Sequence, residues 1–141
     1  MTHTEQQAAQ HSMTVTKEDA GIIANAALDK KAQDVVLLEV SSVSTYADYF
    51  LICSGRSVIQ VKAIVNAIEQ TFKERGVYPL HAEGLSEGRW VLLDYDELII
   101  HVFLEETRAF YNLERLWDDV PCTAFDEYSV PAESPSTVYD D

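Results

Sequence analysis

Two apolar runs on either side of a short polar break form the most regular stretch of the chain, residues 88–104. Such a pattern predicts a β-hairpin. With Tyr95 and Asp96 as a two-residue loop, Trp90 would face His101 across the strands. Side chains alternate along a strand, so the hairpin has two faces, and a slip of one residue would exchange them. One face carries Val91, Leu93, Leu98, Ile100 and Val102, and the other carries Trp90, Leu92, Ile99, His101 and Phe103.

Apolar residues at helical spacing predict two helices ahead of this hairpin. The first begins at Thr16, three residues before Asp19 in a capping-box-like pattern, and runs to about residue 30. The second follows Ser57 and Gln60, another such pair, and ends at Gly76 behind a basic last turn. Its predicted buried stripe is Val61, Val65, Ile68 and Phe72.

A last helix is predicted after the hairpin. Glu105 and Glu106 would lie at its positive end, where carboxylates are favourable. Helical spacing then predicts five inward-facing residues, Ala109, Phe110, Leu113, Leu116 and Trp117.

Short β-branched apolar runs predict the remaining strands. Residues 35–40 and 49–54 are typical of buried strands, and residues 77–82 of a third strand with Pro79 at an edge or bend. The order is α-β-β-α-β-β-β-α. It predicts a single α/β domain, with helices packed on a mixed β-sheet.

Composition divides the 141 residues into three parts. Residues 1–15 have neither the basic start nor the apolar stretch of a secretory signal, which predicts a flexible polar arm. Residues 16–120 have the size and apolar content of one domain. Residues 121–141 are rich in proline, serine and acids, which predicts an acidic disordered tail.

The net charge of −14 bears on the kind of partner. Direct nucleic-acid binding needs a basic face, and no cluster of lysines and arginines supplies one. An acidic protein is better suited to a basic protein partner. No run approaches the roughly 18 apolar residues of a membrane span. Cys53 and Cys122 lie far apart, as expected of free thiols in a reducing cytoplasm.

One turn suggests phosphate chemistry. Gly55-Arg56-Ser57 lies between a predicted strand and helix, where phosphate can bind, and Asp94-x-Asp96 resembles a metal-binding carboxylate pair. A capped turn without a ligand is the simpler interpretation, because the carboxylates fall at a hairpin tip. No zinc-type spacing and no nucleophile or Walker motif occurs, so we expect no metal, cofactor or catalysis.

Trp90 has two interpretations that stay open at this point. Tryptophan is commonly part of a core, but it is also a common anchor of protein interfaces. Its place at a strand start, on the mixed face of the hairpin, is compatible with both.

Several motifs together resemble the Iojap-related ribosomal silencing factors. The resemblance covers roughly residues 17–119, and the combined motifs are long and specific. They are residues 44–50, Gly55 and residues 60–64 in the first half, and residues 83–84, 90–95, 101–103 and 106–117 in the second.

The resemblance implies a nucleotidyltransferase-like fold without a catalytic site. It also implies binding to large-subunit ribosomal protein number fourteen at the intersubunit face, which blocks joining of the small subunit and lowers translation under nutrient limitation. The family's tryptophan before the V-L-L-D strand matches Trp90. Where the family usually has glycine, this chain has Asp96, which bears on the turn. The expected partner surface comprises Glu83, Trp90, Leu92, Asp94, Tyr95, Ile99 and His101.

Two other functions remain as alternatives. One is a nucleotide-binding or nucleotidyltransferase-like domain. The other is a scaffold that forms a homodimer through the mixed hairpin face, off the ribosome.

Overall fold

Six strands form one mixed sheet in the computed structural model, which describes residues 15–126. The strands are β1 (Gln33–Glu39), β2 (Tyr49–Gly55), β3 (His81–Glu83), β4 (Trp90–Asp94), β5 (Leu98–Leu104) and β6 (Cys122–Phe125). The helices are α1 (Lys17–Asp29), α2 (Val58–Glu74) and α3 (Glu105–Tyr111), followed by a 3₁₀ helix (Leu113–Trp117). The strand order is β3-β4-β5-β2-β1-β6, with β2 and β5 parallel and the other pairs antiparallel. The predicted α/β fold with a mixed sheet is confirmed.

The two long helices begin and end as their sequences predict. Thr16 Oγ1 accepts from the Asp19 amide at 3.2 Å and Asp19 Oδ2 accepts from the Thr16 amide at 3.0 Å, a complete capping box. At α2, Ser57 Oγ accepts from the Gln60 amide, but the Gln60 side chain bonds elsewhere, so the second capping box is only half formed. Gly76 ends α2 with φ +77°.

The core under α1 and α2 contains the aliphatic face of the hairpin. Val91, Leu93, Leu98, Ile100 and Val102 have no exposed surface. They pack with the predicted α2 stripe in one cluster of buried residues. Burial of such side chains stabilises the fold by about 1.5–3 kcal/mol each. The other side of the sheet has a smaller core, around Leu38, Val40, Ile52, Phe103 and Val120.

The hairpin pairing differs from the prediction by two residues. Trp90 lies opposite Phe103, not His101, and the Tyr95 amide donates to the Leu98 carbonyl at 2.9 Å. The two-residue loop is therefore formed by residues 96–97. Because the shift is even, both faces keep the residues that alternation predicts.

The physical reason for the shift lies at Tyr95 and Asp96. The Tyr95 ring is 3 % exposed and packs on Phe72, with ring centroids 4.5 Å apart, so Tyr95 continues the strand instead of turning. Asp96 takes φ +75° at the first loop position, where a type II′ turn favours glycine. Its amide donates to Asp94 Oδ1 at 2.8 Å, which gives this backbone a local partner.

The third strand is shorter than predicted and lies at the sheet edge. Of residues 77–82, only His81 and Ala82 belong to β3. The Val77 amide donates to the Phe72 carbonyl and the Gly76 amide to the Lys73 carbonyl, a Schellman motif. Val77 is therefore part of the end of α2 and cannot begin a strand.

The sheet continues past the predicted domain end at residue 120. Residues 122–125 form β6 and pair with β1, with Val36 opposite Ala124, so the prediction of disorder is wrong for this segment. Composition does not reveal that β1 offers an unpaired backbone edge, which β6 covers. Residues 1–14 of the predicted arm and residues 127–141 of the predicted tail lie outside the described residues.

The last helix is shorter than predicted, and the side that packs on the sheet is not the predicted one. It ends before Asn112, which is left-handed with φ 48°. Phe110 and Leu116 are 79 % and 74 % exposed, and Ala109 is exposed, so their inward orientation was wrongly predicted. Leu113 and Trp117 do pack on the second core. None of the helices between residues 15 and 126 is long and apolar enough to cross a membrane.

We predict that β6 is needed for full stability. A chain that ends at Pro121 loses the β1 pairing and the packing of Phe125 on the main core. It should be less stable by about 2 kcal/mol or more. That corresponds to a melting temperature lower by roughly 5–15 °C.

The matched control is a chain that ends at Asp126. It keeps β6 and with it every residue described as pairing with β1, so it should melt within a few degrees of the full chain. Thermal unfolding of the full chain and of the two truncated chains measures the effect of β6 on stability. Equal melting of the full chain and the Pro121 truncation would show that β6 contributes nothing.

Candidate functional site: an aromatic surface around Trp90

Trp90 is half-buried, between the sheet and the last helix. Its ring centroid lies 4.8 Å from that of Phe103 on β5 and 4.9 Å from that of Tyr111 on α3. Phe110 meets Tyr111 edge-on at 5.0 Å. We call Trp90, Phe110 and Tyr111 the aromatic surface. Trp90 is thus its fixed base, because part of the ring packs inside the fold.

His101 orients Trp90 from beneath. It is 5 % exposed, and its Nδ1 accepts from Trp90 Nε1–H at 3.1 Å. Burial lowers the pKa of His101 to about 4, although nearby Glu114 acts in the opposite direction. The imidazole is therefore neutral near pH 7, with its proton on Nε2. His101 positions the indole, and its burial is incompatible with the predicted direct contact of His101 with a partner.

Six of the seven predicted surface residues share one face of the sheet. Leu92 and Ile99 lie half-buried on the face of Trp90 and His101. Asp94 is on the same face by strand alternation, and Glu83 is opposite Leu92 in the register. The sheet therefore brings together Glu83, Trp90, Leu92, Asp94, Ile99 and His101.

Tyr95 is the exception. It follows Leu93 by two residues, so alternation directs it to the helical side, where it is buried in the main core. Burial raises the pKa of its phenol well above the ordinary value. The predicted place of Tyr95 in the partner surface is incompatible with this position.

A tight loop, residues 84–89, borders the aromatic surface. At Gly84, φ is +84°, and an added Cβ would lie 2.0 Å from the Trp90 carbonyl oxygen, so only glycine fits. Lys62 Nζ on α2 donates to the Ser86 carbonyl at 3.1 Å. The loop is thereby held against the start of β4.

Arg108 holds the last helix on the sheet. It is 9 % exposed, and its Nη1 lies 3.3 Å from both the Ser54 hydroxyl and the Gln33 carbonyl. Its Nε donates to Glu114 Oε2 at 2.9 Å. One guanidinium therefore links α3 to β1, β2 and the 3₁₀ helix, and this placement sets Tyr111 against Trp90.

Sequence reasoning missed Phe110, Tyr111 and Leu116 as surface residues. They are 79 %, 55 % and 74 % exposed. Helical spacing placed Phe110 and Leu116 inside because it assumed one long helix. The signal that could have found them is the aromatic pair within residues 106–117, one of the motifs that carry the family resemblance.

At the turn of residues 55–57 and the start of α2, two amides already have side-chain partners. The Arg56 amide donates to Gln60 Oε1 at 2.7 Å, and the Gln60 amide donates to Ser57 Oγ at 3.1 Å. Gln60 Nε2 donates to the carbonyls of Lys30 and Lys31. Two of the amides that could bind a phosphate here thus already have side-chain partners.

The carboxylates lie at the other end of the sheet from this turn. Asp94 is opposite Ile99, whereas Gly55 is opposite Leu104, five residues further along β5. Five residues along a strand correspond to about 17 Å. Within residues 15–126, no group of three or more His, Cys, Asp or Glu could hold a metal ion. The elements of a nucleotidyl-transfer site do not come together.

The fold and the site define a class: a single α/β domain whose mixed sheet presents a half-buried tryptophan, flanked by exposed aromatic rings, beside a loop anchored to α2. Comparison with known proteins narrows this class. The family described as "Ribosomal silencing factor during starvation" matches residues 13–140. The chain therefore belongs to the ribosomal silencing factor family, whose role is ribosome-associated silencing of translation.

Relatives and solved structures agree with this family. The ribosomal silencing factor of Bacillus subtilis is 44 % identical over 105 residues, 74 % of this chain and 89 % of the relative. The chloroplast protein Iojap of Zea mays is 30 % identical over 95 residues, 67 % of this chain and 41 % of Iojap. A crystal structure of a Bacillus halodurans protein is 39 % identical with a TM-score of 0.69, covering 78 % of this chain and all of its own. The Iojap-related resemblance is thereby confirmed.

We predict that the domain does not transfer nucleotides, because the turn at residues 55–57 and the carboxylates Asp94 and Asp96 lie at opposite ends of the sheet. Incubation with Mg²⁺ and labelled nucleoside triphosphates should give no turnover above the buffer. Turnover that disappears in the Asp94→Ala/Asp96→Ala variant would overturn this prediction.

A second prediction concerns stability and pH. Unfolded His101 binds a proton near its ordinary pKa of 6.5, whereas folded His101 binds one only near pH 4. The contribution of neutral His101 to the free energy of unfolding is therefore fully present above pH 6.5. It decreases as the pH falls towards 4, by up to about 3 kcal/mol. Urea unfolding between pH 7 and pH 4.5 measures it.

His101→Gln is the matched variant, since glutamine can accept from Trp90 Nε1 but does not titrate. Its free energy of unfolding should fall less steeply between pH 6.5 and 4.5 than that of the wild type. Parallel pH profiles for the two proteins would show that His101 is not the group responsible.

Proposed function

We propose that this chain silences translation by docking the face around Trp90 on large-subunit ribosomal protein number fourteen. Bound there, it would occupy the intersubunit face and prevent the small subunit from joining. The proposal combines membership in the ribosomal silencing factor family with the chemistry of one surface of the domain.

The observation that carries the proposal is a half-buried tryptophan flanked by exposed aromatic rings. Interface hot spots are enriched in tryptophan and tyrosine whose rings are already held in place. Here His101 holds the indole of Trp90, and Tyr111 extends the surface outwards at 55 % exposure. A rigid anchor of this kind loses little conformational entropy on binding.

Charge supports a basic protein as the partner. The chain has a net charge of −14. Glu87 and Glu106 lie beside Trp90, and Glu83 and Asp94 lie further along the same face of the sheet. Ribosomal proteins that bind RNA are commonly basic, so attraction would speed association and weaken with salt.

The mechanism needs no chemistry. Two rigid bodies cannot occupy one ribosomal surface, so binding alone suffices to exclude the small subunit. A standard interface of about 800 Å² per partner would be enough.

We predict that Trp90→Ala weakens binding to large ribosomal subunits by about thirtyfold or more, a loss of about 2 kcal/mol that is typical of interface hot spots. Because Trp90 also packs on Phe103, the variant should lose some stability while remaining folded. Co-sedimentation with purified large subunits measures binding, and thermal unfolding measures the fold.

A more exposed variant separates binding from folding. Tyr111→Ala should weaken binding severalfold with little effect on the melting temperature. Ile59→Ala is the control, because Ile59 is 82 % exposed on α2, on the other side of the sheet. Folded Trp90→Ala and Tyr111→Ala proteins that bind as the wild type does would rule out this face.

A homodimer through the same face is the second candidate. It is favoured by the exposure of Phe110 and Leu116. Light scattering with and without large subunits distinguishes the two. A dimer that persists in the presence of subunits, and that does not co-sediment with them, would favour the scaffold.

A further inference from the structure

We propose that the groove between loop 84–89 and α3 receives a basic side chain, arginine or lysine, from the protein partner. The proposal rests on the proposed function and deepens it, because it names the chemical group that binds beside Trp90. Trp90, Phe110 and Tyr111 form the apolar lining of this groove, and Glu87, Arg89 and Glu106 its charged lining.

The aromatic lining suits a cation. The Phe110 and Tyr111 rings are nearly perpendicular, at 88°, and the Trp90 ring is tilted by 48° to that of Tyr111. The three rings that line the groove therefore lie in different planes, so one group in the groove can contact more than one ring. Ring faces carry negative potential and attract cations within about 6 Å, with arginine and lysine the usual protein partners.

The carboxylates in the groove have no counter-ion of their own. Among residues 15–126, neither Glu87 nor Glu106 makes an ion pair or a side-chain hydrogen bond. Arg89 also lines the groove, but it too forms no ion pair there, and the carboxylates outnumber it two to one. An incoming guanidinium or ammonium could thus pair with acids that the fold leaves available.

The groove is built before a ligand arrives. Glu87 lies on the loop that Gly84 fits against Trp90 and that Lys62 anchors. Gly88 lies so close to α2 that a Cβ there would meet Val58 Cγ1 at 2.8 Å. Opposite the loop, Arg108 fixes α3 and with it Glu106. Because the groove is preformed, little binding energy is lost in ordering its residues.

Two other occupants fit less well. RNA phosphate would be repelled by Glu87 and Glu106. A wholly apolar segment, including one from a second copy of the chain, would bury those two carboxylates without partners, which is costly.

The first test neutralises the two carboxylates. Glu87→Gln/Glu106→Gln should bind purified large subunits about tenfold more weakly, with a smaller dependence on salt. The control Glu18→Gln/Glu74→Gln makes the same change of net charge at exposed positions on α1 and α2 and should bind as the wild type does. Equal weakening in both pairs would mean that only the overall charge matters, which overturns the proposal.

The second test separates a cation from an apolar group. Phe110→Leu keeps an apolar side chain but removes the ring face, so a cation would bind severalfold more weakly. An apolar occupant would bind Phe110→Leu normally and the Glu87→Gln/Glu106→Gln pair as well as or better than the wild type. That combination would overturn the proposal.

The third test needs no ribosome. In an NMR titration, N-acetyl-arginine amide should shift the Trp90 indole and Tyr111 signals, and the neutral N-acetyl-citrulline amide should not. The shifts should be lost in Glu87→Gln/Glu106→Gln. Equal shifts with both probes, or none with either, would overturn the groove proposal.

Failure of this inference can be told from failure of the proposed function. If the wild type does not bind large subunits, the proposed function fails, and the NMR titration still decides the chemistry of the groove. If Trp90→Ala loses binding while Glu87→Gln/Glu106→Gln binds normally, the docking face stands and the cation does not.

Discussion

The aromatic surface depends on one buried charge. Arg108 is 9 % exposed, and a guanidinium removed from water must be paired and hydrogen-bonded. Its partners come from three places, Glu114, the Ser54 hydroxyl and the Gln33 carbonyl. These contacts are directional, so they fix the angle and the position of α3. Apolar burial alone would not fix the position of a short helix that exposes Phe110. The contacts of the Arg108 guanidinium fix it instead.

The two sides of the sheet are therefore stabilised differently. On the helical side, α1 and α2 cover an aliphatic core, in which the aliphatic face of the hairpin is fully buried. On the other side, polar contacts add to a smaller apolar core: Arg108 holds α3, and His101 holds Trp90. This division leaves aromatic rings both rigid and accessible.

Much of the fold follows from local patterns, and the errors have identifiable physical causes. The capping box at Thr16 and the stop at Gly76 are local, so the bounds of α1 and α2 were predicted to within a few residues. The hairpin register depends on Tyr95 packing against Phe72, a contact between distant residues that periodicity does not contain. β6 was missed for a similar reason, because its stability comes from the edge of β1 and not from its own composition.

The candidate site was predictable where strand alternation decides it. A shift of two residues leaves every side chain on its face, so an incorrect register still grouped Trp90, Leu92, Ile99 and His101 correctly. Tyr95 failed because it was assigned to the loop, where alternation does not apply. The pattern of apolar and polar residues does not show how deeply each side chain is buried. His101 lies buried beneath Trp90, whereas Phe110 lies exposed outside it. The exposure of Phe110 is set by where Arg108 places α3, so it follows from the buried charge and not from the order of apolar and polar residues.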